Sequence, residues 1–282
     1  MQERNQIAAQ IARLLLELRQ AGGRVLAFTG AGISTASGIP DFRSPGTGLW
    51  ERVDPEQAMS WDSFRQDPVH FYQVGLTTWL PPLWRAQPNP AHKALAQLER
   101  AGLLTGVITQ NIDGLHQMAG SRRVWEIHGS VRTASCPTCG RRVPLLVPHA
   151  WLAEKARHAA PDALSPSWRW PEGYPPRCPD CGVVLKPDVV LFGEPLPASF
   201  EQAWDETARC TLMIVIGSSL EVAPAAYLPE RVGRLIINNL QPTACDERAE
   251  WVVRTPAAEI WPAVVDALTE ANPAFALPPS AW

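Results

Sequence analysis

The chain has 282 residues, 46% of them hydrophobic and 19% charged, with a net charge of −3. That is an ordinary globular composition with room for one large domain and a smaller partner, and it excludes a disordered or fibrous chain. The lack of a basic excess argues against nucleic acid as a partner, and no apolar run reaches membrane-spanning length.

The N-terminus, MQERNQIAAQIARLLLELRQ, is charged and amphipathic and lacks the form of a signal peptide, so a cytoplasmic location is expected. Ile7, Ile11, Leu14, Leu15 and Leu18 share one face of a helix over about residues 5–20, which Gly22 and Gly23 end. Val25 to Thr29 is an apolar strand that runs into Gly30-Ala31-Gly32-Ile33-Ser34. A strand feeding a Gly-x-Gly turn and a helix start is how a backbone approaches a pyrophosphate. Thr35 stands where a third glycine belongs, and no acidic residue ends a following strand, so a tight structural turn fits as well. The next loop, Gly38-Ile39-Pro40-Asp41-Phe42-Arg43, carries a carboxylate, an aromatic ring and a guanidinium, more chemistry than a connection needs.

Residues 45–87 read as a helical lobe or a flexible cofactor loop, with short helical pieces such as Asp62 to Thr78. Asn89-Pro90 supplies an N-cap and a first-turn proline for a helix to about Arg100. The apolar run Leu103 to Ile108 is a buried strand, and Gln110, Asn111 and Asp113 follow its end. A second strand, Val124 to Ile127, delivers His128 and Gly129. Ligands of open α/β sheets bind outside the carboxyl ends of strands, which makes these two ends one candidate site. Asn, Asp and Gly are also common turn residues, and His128 read alone fits a structural histidine.

Four of the six cysteines fall in two Cys-x-x-Cys-Gly knuckles, Cys136/Cys139 and Cys178/Cys181, with residues 140–177 between them. Four thiolates make a closed tetrahedral zinc site of the structural kind. A pair of redox motifs is the alternative. Trp and Pro residues cluster between Trp151 and Pro176, which points to an irregular insertion packed over the zinc module. Cys210 abuts an apolar run and reads as a small buried hydrophobe.

Lys186 to Glu194 then reads KPDVVLFGE, with a short strand at Val189 to Phe192. Composition makes it an ordinary edge strand, though an edge can also pair with an extended peptide. Leu212 to Ile216 is a strand ending in Gly217-Ser218-Ser219, and Leu235 to Ile237 one ending in Asn238-Asn239. A last helix spans about Ala257 to Leu268, followed by a Pro-rich tail, residues 272–282. The apolar strands alternate with helices, as in a parallel sheet buried on both faces. The fold class is therefore α/β: a doubly wound, Rossmann-like parallel sheet. It takes residues 1–44, 88–131 and 186–271, with a helical lobe (45–87) and a zinc-binding module (132–185) inserted.

As an ordered set, the GAGIS turn, the GIPDFR loop, Thr109-Gln-Asn-Ile-Asp-Gly-Leu-His116, His128-Gly129, both knuckles, KPDVVLFGE and Gly217-Ser-Ser resemble the sirtuins, NAD-dependent protein lysine deacylases. The resemblance implies that NAD is the co-substrate and zinc a structural ion, and that acylated lysine in a protein or peptide is the partner. The implied products are free lysine, nicotinamide and O-acyl-ADP-ribose. It implies phosphate contacts at Gly30, Ala31, Arg43, Gly217, Ser218 and Ser219, and ribose contacts at Ser34, Gln110 and Asn111. Ile112 and Asp113 would hold nicotinamide, with Asn111 also serving catalysis. Phe42 would shield the reactive carbon, beside Asp41. Asn238, Asn239 and Ala257 would lie on the adenosine side. His128 would be the general base, a role suited to its ordinary pKa. Val190, Leu191, Phe192, Gly193 and Glu194 would pair with the substrate peptide, and Tyr72 would line the acyl pocket.

Two departures bear on specificity. Members that remove succinyl or malonyl groups carry Tyr-x-x-Arg in the acyl pocket; here Tyr72 is followed by Gly75, so neutral acyl groups are expected, with Gly75 widening the pocket. The segment that closes over adenine reads Glu250-Trp-Val-Val-Arg-Thr-Pro-Ala257, unlike the common pattern. An ADP-ribosyl transferase and a non-catalytic NAD or ADP-ribose binding module are the competing readings.

Overall fold

The computed structural model of the chain describes residues 2–41, 48, 54–157 and 170–271. Phe42, Arg43, residues 158–169 and the 272–282 tail lie outside them.

Six strands form one parallel sheet: β1 (Val25–Thr29), β2 (Gly106–Thr109), β3 (Val124–Glu126), β7 (Leu212–Ile216), β8 (Leu235–Asn238) and β9 (Trp251–Val253). Their spatial order is β3-β2-β1-β7-β8-β9. The chain winds outward from β1 in one direction and from β7 in the other, so the switch point lies between those two strands. Strand alternation assigns the two faces. Val25 and Ala27, with Leu212, Ile214 and Ile216, pack under helices α1 (Gln2–Gln20), α6 (Pro90–Arg100) and α11 (Ala257–Ala271). Leu26, Phe28, Met213 and Val215 pack on the other face, with Ala203 of α9 (Ala198–Thr207) and Leu228 of α10 (Tyr227–Glu230). Both faces are covered, which is why the strands read as unbroken apolar runs.

The smaller sheet is antiparallel, in the order β5-β4-β6, from β4 (Gly129–Ser135), β5 (Arg142–Pro144) and β6 (Lys186–Val189). The lobe comprises α2 (Pro55–Met59), α3 (Trp61–Gln66), α4 (Pro68–Thr77) and α5 (Leu80–Arg85). Lobe and module share one core: Phe71, Tyr72, Leu76 and Trp79 cluster with Val131, Ala134, Leu185 and Leu191. Trp151, on α8 (His149–Arg157), and Trp170 pack into the same cluster, so those described parts of the insertion do cover the module. Among the described residues, no helix is long and apolar enough to cross a membrane.

Four expected elements differ. The helical piece expected at Asp62 to Thr78 is two helices, α3 and α4, because Asp67 caps a new start at Pro68. The run from Leu103 becomes a strand only at Gly106, because the Leu103 and Leu104 N–H groups donate to Leu98 O, 2.9 and 3.1 Å, and finish the end of α6. No α-helix follows Gly30: the chain makes two 3₁₀ turns, Ala31–Ile33 and Thr35–Ser37. Asn89 Nδ2 holds them by donating to Ile33 O (2.7 Å) and Ser37 Oγ (3.0 Å). Finally, the strand placed at Val189 to Phe192 is Lys186–Val189, in the small sheet. Beyond it, Phe192 pairs with the lobe: its N–H donates to Met59 O (2.8 Å), and its carbonyl accepts from Trp61 N–H (2.9 Å).

Candidate active site

At the switch point the turns after β1 and β7 interlock. Gly30 N–H donates to Ile216 O at 3.0 Å and Gly32 N–H to Gly217 O at 2.8 Å. A Cβ on Gly217, whose φ is +63°, would lie 2.3 Å from Ile33 N, and one on Gly30 would lie 2.7 Å from Gly217 O. These glycines are needed for backbone against backbone. With only 3₁₀ turns here, an α-helix dipole is not what the site would offer a phosphate; it offers close approach of the backbone.

The end of β2 fills the cleft beside this cradle. Gln110 reaches across the switch point, its Oε1 accepting from Ser218 Oγ at 2.8 Å. Buried Asn111 donates through Nδ2 to Gly30 O (3.1 Å) and to Ser34 Oγ (3.0 Å). Ser34 Oγ in turn donates to Asp113 Oδ2 at 2.7 Å, and Leu115 N–H donates to Asp113 Oδ1 at 2.9 Å. Burial pushes the Asp113 carboxyl above its ordinary value, against the opposing bonds from Leu115 and Ser34. The buried Ile112 braces the small sheet, its carbonyl accepting from Val131 N–H at 3.0 Å. Ser34, Asn111, Asp113 and Gly30 are thus one hydrogen-bonded unit assembled from two chain segments, the turns after β1 and β2.

His128 sits in the turn between β3 and β4. Its Nδ1 bonds Gln110 O at 3.1 Å. A carbonyl only accepts, so Nδ1 carries the proton and Nε2 keeps a free lone pair. Burial lowers the His128 pKa below 6.5, with the Gln110 bond acting in the opposite direction. The ring is therefore neutral and able to accept a proton at neutral pH. The His128 carbonyl accepts Val190 N–H at 2.8 Å, which ties this histidine to the segment that follows β6. Gly129 makes this possible: a Cβ there would lie 2.1 Å from Asp188 O.

Other expected positions are placed differently. Tyr72 is fully buried and its hydroxyl donates to Leu185 O at 2.9 Å, so that hydroxyl is spent inside the fold. Gly75 does not widen a pocket: a Cβ there would meet Leu80 Cδ1 at 3.1 Å and Trp79 Cε2 at 3.2 Å, so Trp79 and Leu80 take the space. The Asn238 side chain is spent inside the fold. Its Nδ2 donates to Val253 O (3.1 Å) and Thr255 O (2.7 Å), and its Oδ1 accepts from Trp261 Nε1 (3.0 Å). The neighbouring Asn239 is half-buried and its Nδ2 donates to Gln241 O at 2.8 Å, while Ala257 opens α11 and Asp41 is half-buried. Ala31 and Ser219 are half-buried at the cradle.

Two buried histidines escaped the sequence reading. His92 Nδ1 accepts Asn89 N–H (3.4 Å), so its Nε2 is the donor toward Ser34 Oγ at 3.4 Å. His116 Nε2 bonds Thr29 Oγ1 at 2.9 Å, and the two rings meet edge to face with centroids 4.9 Å apart. Burial lowers the pKa of His92 to about 4 and that of His116 well below 6.5. The one sequence signal for His92 is its place three residues after the Asn89 N-cap, where a capping box puts a side chain that reaches back.

The Sγ atoms of Cys136, Cys139, Cys178 and Cys181 all lie within 4.8 Å of one another. Cys136 to Cys181 is 3.5 Å, Cys139 to Cys178 3.6 Å and Cys181 to Cys139 3.9 Å. A tetrahedral zinc with four thiolates sets its sulfurs about 3.8 Å apart. The four side chains fit that ion and are far from disulfide distances.

A model of the Sir2 family matches residues 30–224. The chain belongs to the Sir2 family. It is 46% identical to the NAD-dependent protein deacetylase 2 of Caldanaerobacter subterraneus subsp. tengcongensis, over 86% of this chain and 90% of that protein. It is 40% identical to the NAD-dependent protein deacetylase 1 of Geobacillus kaustophilus, over 90% and 97%. Among solved structures, a Sir2 enzyme at 38% identity superposes with a TM-score of 0.75, covering 96% of this chain and all of that one. A Sir2 histidine variant solved with deacetylated p53 peptide and 3′-O-acetyl-ADP-ribose gives a TM-score of 0.74 at 35% identity, covering 93% and 97%. The likeness thus spans at least 90% of each of these four proteins.

Proposed function

We propose that this Sir2-family chain, an NAD-dependent protein-lysine deacetylase, uses His128 as its general base, Asp113 as its nicotinamide-binding group and residues 190–194 as its peptide-binding segment. The single observation that carries this reading is the joint between β2 and β3. Gln110, Asn111 and Asp113 stand in one hydrogen-bonded unit with the glycine cradle, and the Gln110 carbonyl fixes the tautomer of His128. When bound, NAD supplies an electrophilic ribose carbon and nicotinamide as leaving group; the acyl group ends on ADP-ribose. The protein's part is to hold and orient. Asp113, buried and held by Ser34 and Leu115, is suited to bind a carboxamide. Neutral His128 has Nε2 available to take a hydroxyl proton. Gln110 and Asn111 lie where ribose hydroxyls can be fixed, and Gly30, Ala31 and Gly217–Ser219 offer the backbone to phosphate.

For the acyl group, the lobe supports neutral substrates. No arginine stands at position 75, Trp79 and Leu80 fill that space, and Tyr72 has no free hydroxyl for an acid. A charged carboxylate would be buried there without a partner, which is costly. On matched peptides, acetyl should be removed faster than succinyl; faster removal of succinyl would refute the pocket reading.

A further inference from the structure

The motif that begins with Lys186 and ends with Glu194 carries an ion pair that the catalytic reading leaves unused. Lys186 Nζ lies 2.8 Å from Glu194 Oε2, and the two side chains are only 14% and 19% exposed. The same ammonium donates to Val189 O (2.8 Å) and Pro187 O (3.2 Å), so all three of its donors are used. The same Glu194 oxygen accepts Leu191 N–H at 2.9 Å, and Glu194 N–H donates to Leu191 O at 3.0 Å. The pair thus closes residues 186–194 on themselves. The loop is held from two further sides, by Val190 N–H on the His128 carbonyl and by Phe192 on Met59 and Trp61. Among the described residues, this leaves the Val190 carbonyl and both backbone groups of Gly193 without partners. Those are the groups an added peptide strand would need, next to the catalytic base.

We infer that Lys186 and Glu194 are positioning residues whose ion pair pre-forms the peptide-binding segment in register with His128. The inference rests on the reading of residues 190–194 as the substrate segment. It places the pair's contribution in substrate affinity: a loop ordered beforehand loses less freedom when the peptide binds. Cofactor affinity should be untouched, because every bond the pair makes stays within residues 186–194.

The test measures acetyl-peptide and ADP-ribose dissociation constants by calorimetry on the full chain. Lys186→Met should weaken peptide binding roughly tenfold or more by loss of pre-organisation, with ADP-ribose affinity within about twofold. Glu194→Gln keeps an acceptor for Leu191 N–H and should fall between wild type and Lys186→Met. The double variant should recover part of the Lys186→Met loss, since no uncompensated carboxylate is left. If Lys186→Met does not fold, Lys186→Gln and Glu194→Gln make the same comparison. Parallel loss of peptide and ADP-ribose affinity, or no loss of either, overturns the inference. Hydrogen exchange on the wild type separates it from the reading beneath it. Peptide should slow exchange at Gly193; without that protection the substrate-segment reading itself fails, whereas protection with neutral variants sinks only the ion pair.

Discussion

His128 and Asp113 are both held by hydrogen bonds at the buried end of β2, yet burial moves their pKa values in opposite directions. The His128 imidazole is kept neutral and the Asp113 carboxyl is pushed up. Different roles give different failures. His128→Ala should lower deacetylation by about 10²–10⁴-fold, the usual scale for a general base, while ADP-ribose still binds. Asp113→Asn should chiefly impair nicotinamide release. Stopped assays of both variants, with ADP-ribose titrations alongside, check the division; equal loss of ADP-ribose affinity in both would refute it. As the proposed base His128 must be unprotonated, so the acid-side midpoint of kcat/KM should lie below pH 6.5, in the direction burial moves its pKa. An acid limb above pH 6.5 would contradict the burial argument.

Among the elements, the joint between β8 and α11 and the start of α6 carry consequences for stability. Asn238 at the end of β8 holds the β9–α11 turn through three bonds, and Trp261 loses its indole partner if that amide is removed. Asn238→Ala should cost roughly 1–3 kcal/mol, the scale of leaving buried groups unsatisfied, read as a lower denaturation midpoint. On α6, His92 has a folded pKa of about 4 against 6.5 for an ordinary histidine. Between those values the unfolded chain takes up a proton that the folded chain refuses. Stability from His92 is therefore full above pH 6.5 and erodes as the pH falls toward 4, by at most about 1.4 kcal/mol per pH unit. Buried His116 adds in the same direction, whereas Asp113, with its raised pKa, opposes it. The difference between wild type and His92→Gln isolates the term, and the variant should show a shallower loss of stability from pH 6.5 to 5. Local pattern made much of this legible. The buried runs at Val25 and Leu212 were strands, and Asn89-Pro90 did start a helix. The three-residue β9 was too short to announce itself in a sequence, and the pairing of Phe192 with Met59 and Trp61 joins segments far apart in the chain, which no local period records. Nothing local to His92 records its contact with Ser34, which lies 58 residues away in the chain.

For the whole molecule, the order of motifs was more informative than any one of them. Gly-Ala-Gly alone left a tight turn equally open; the fold puts that turn against Gly217 at the switch point of the sheet. The lobe and the zinc module share a core, in which Val131, Leu185 and Leu191 pack with Cys136 and Cys178. Cys136→Ala, or a strong chelator, should remove about one zinc per chain and lower the denaturation midpoint, since structural zinc supplies folding energy. Native stability with no metal in the wild type would refute the zinc site. The central claim is that the cleft joins NAD cleavage to deacetylation. It is tested most directly by incubating the protein with NAD and an acetyl-lysine peptide and following products by mass spectrometry. The account predicts nicotinamide, deacetylated peptide and O-acetyl-ADP-ribose in equal amounts. Nicotinamide without acylated ADP-ribose would contradict it and point to ADP-ribosyl transfer or hydrolysis, and neither product would point to a binding module.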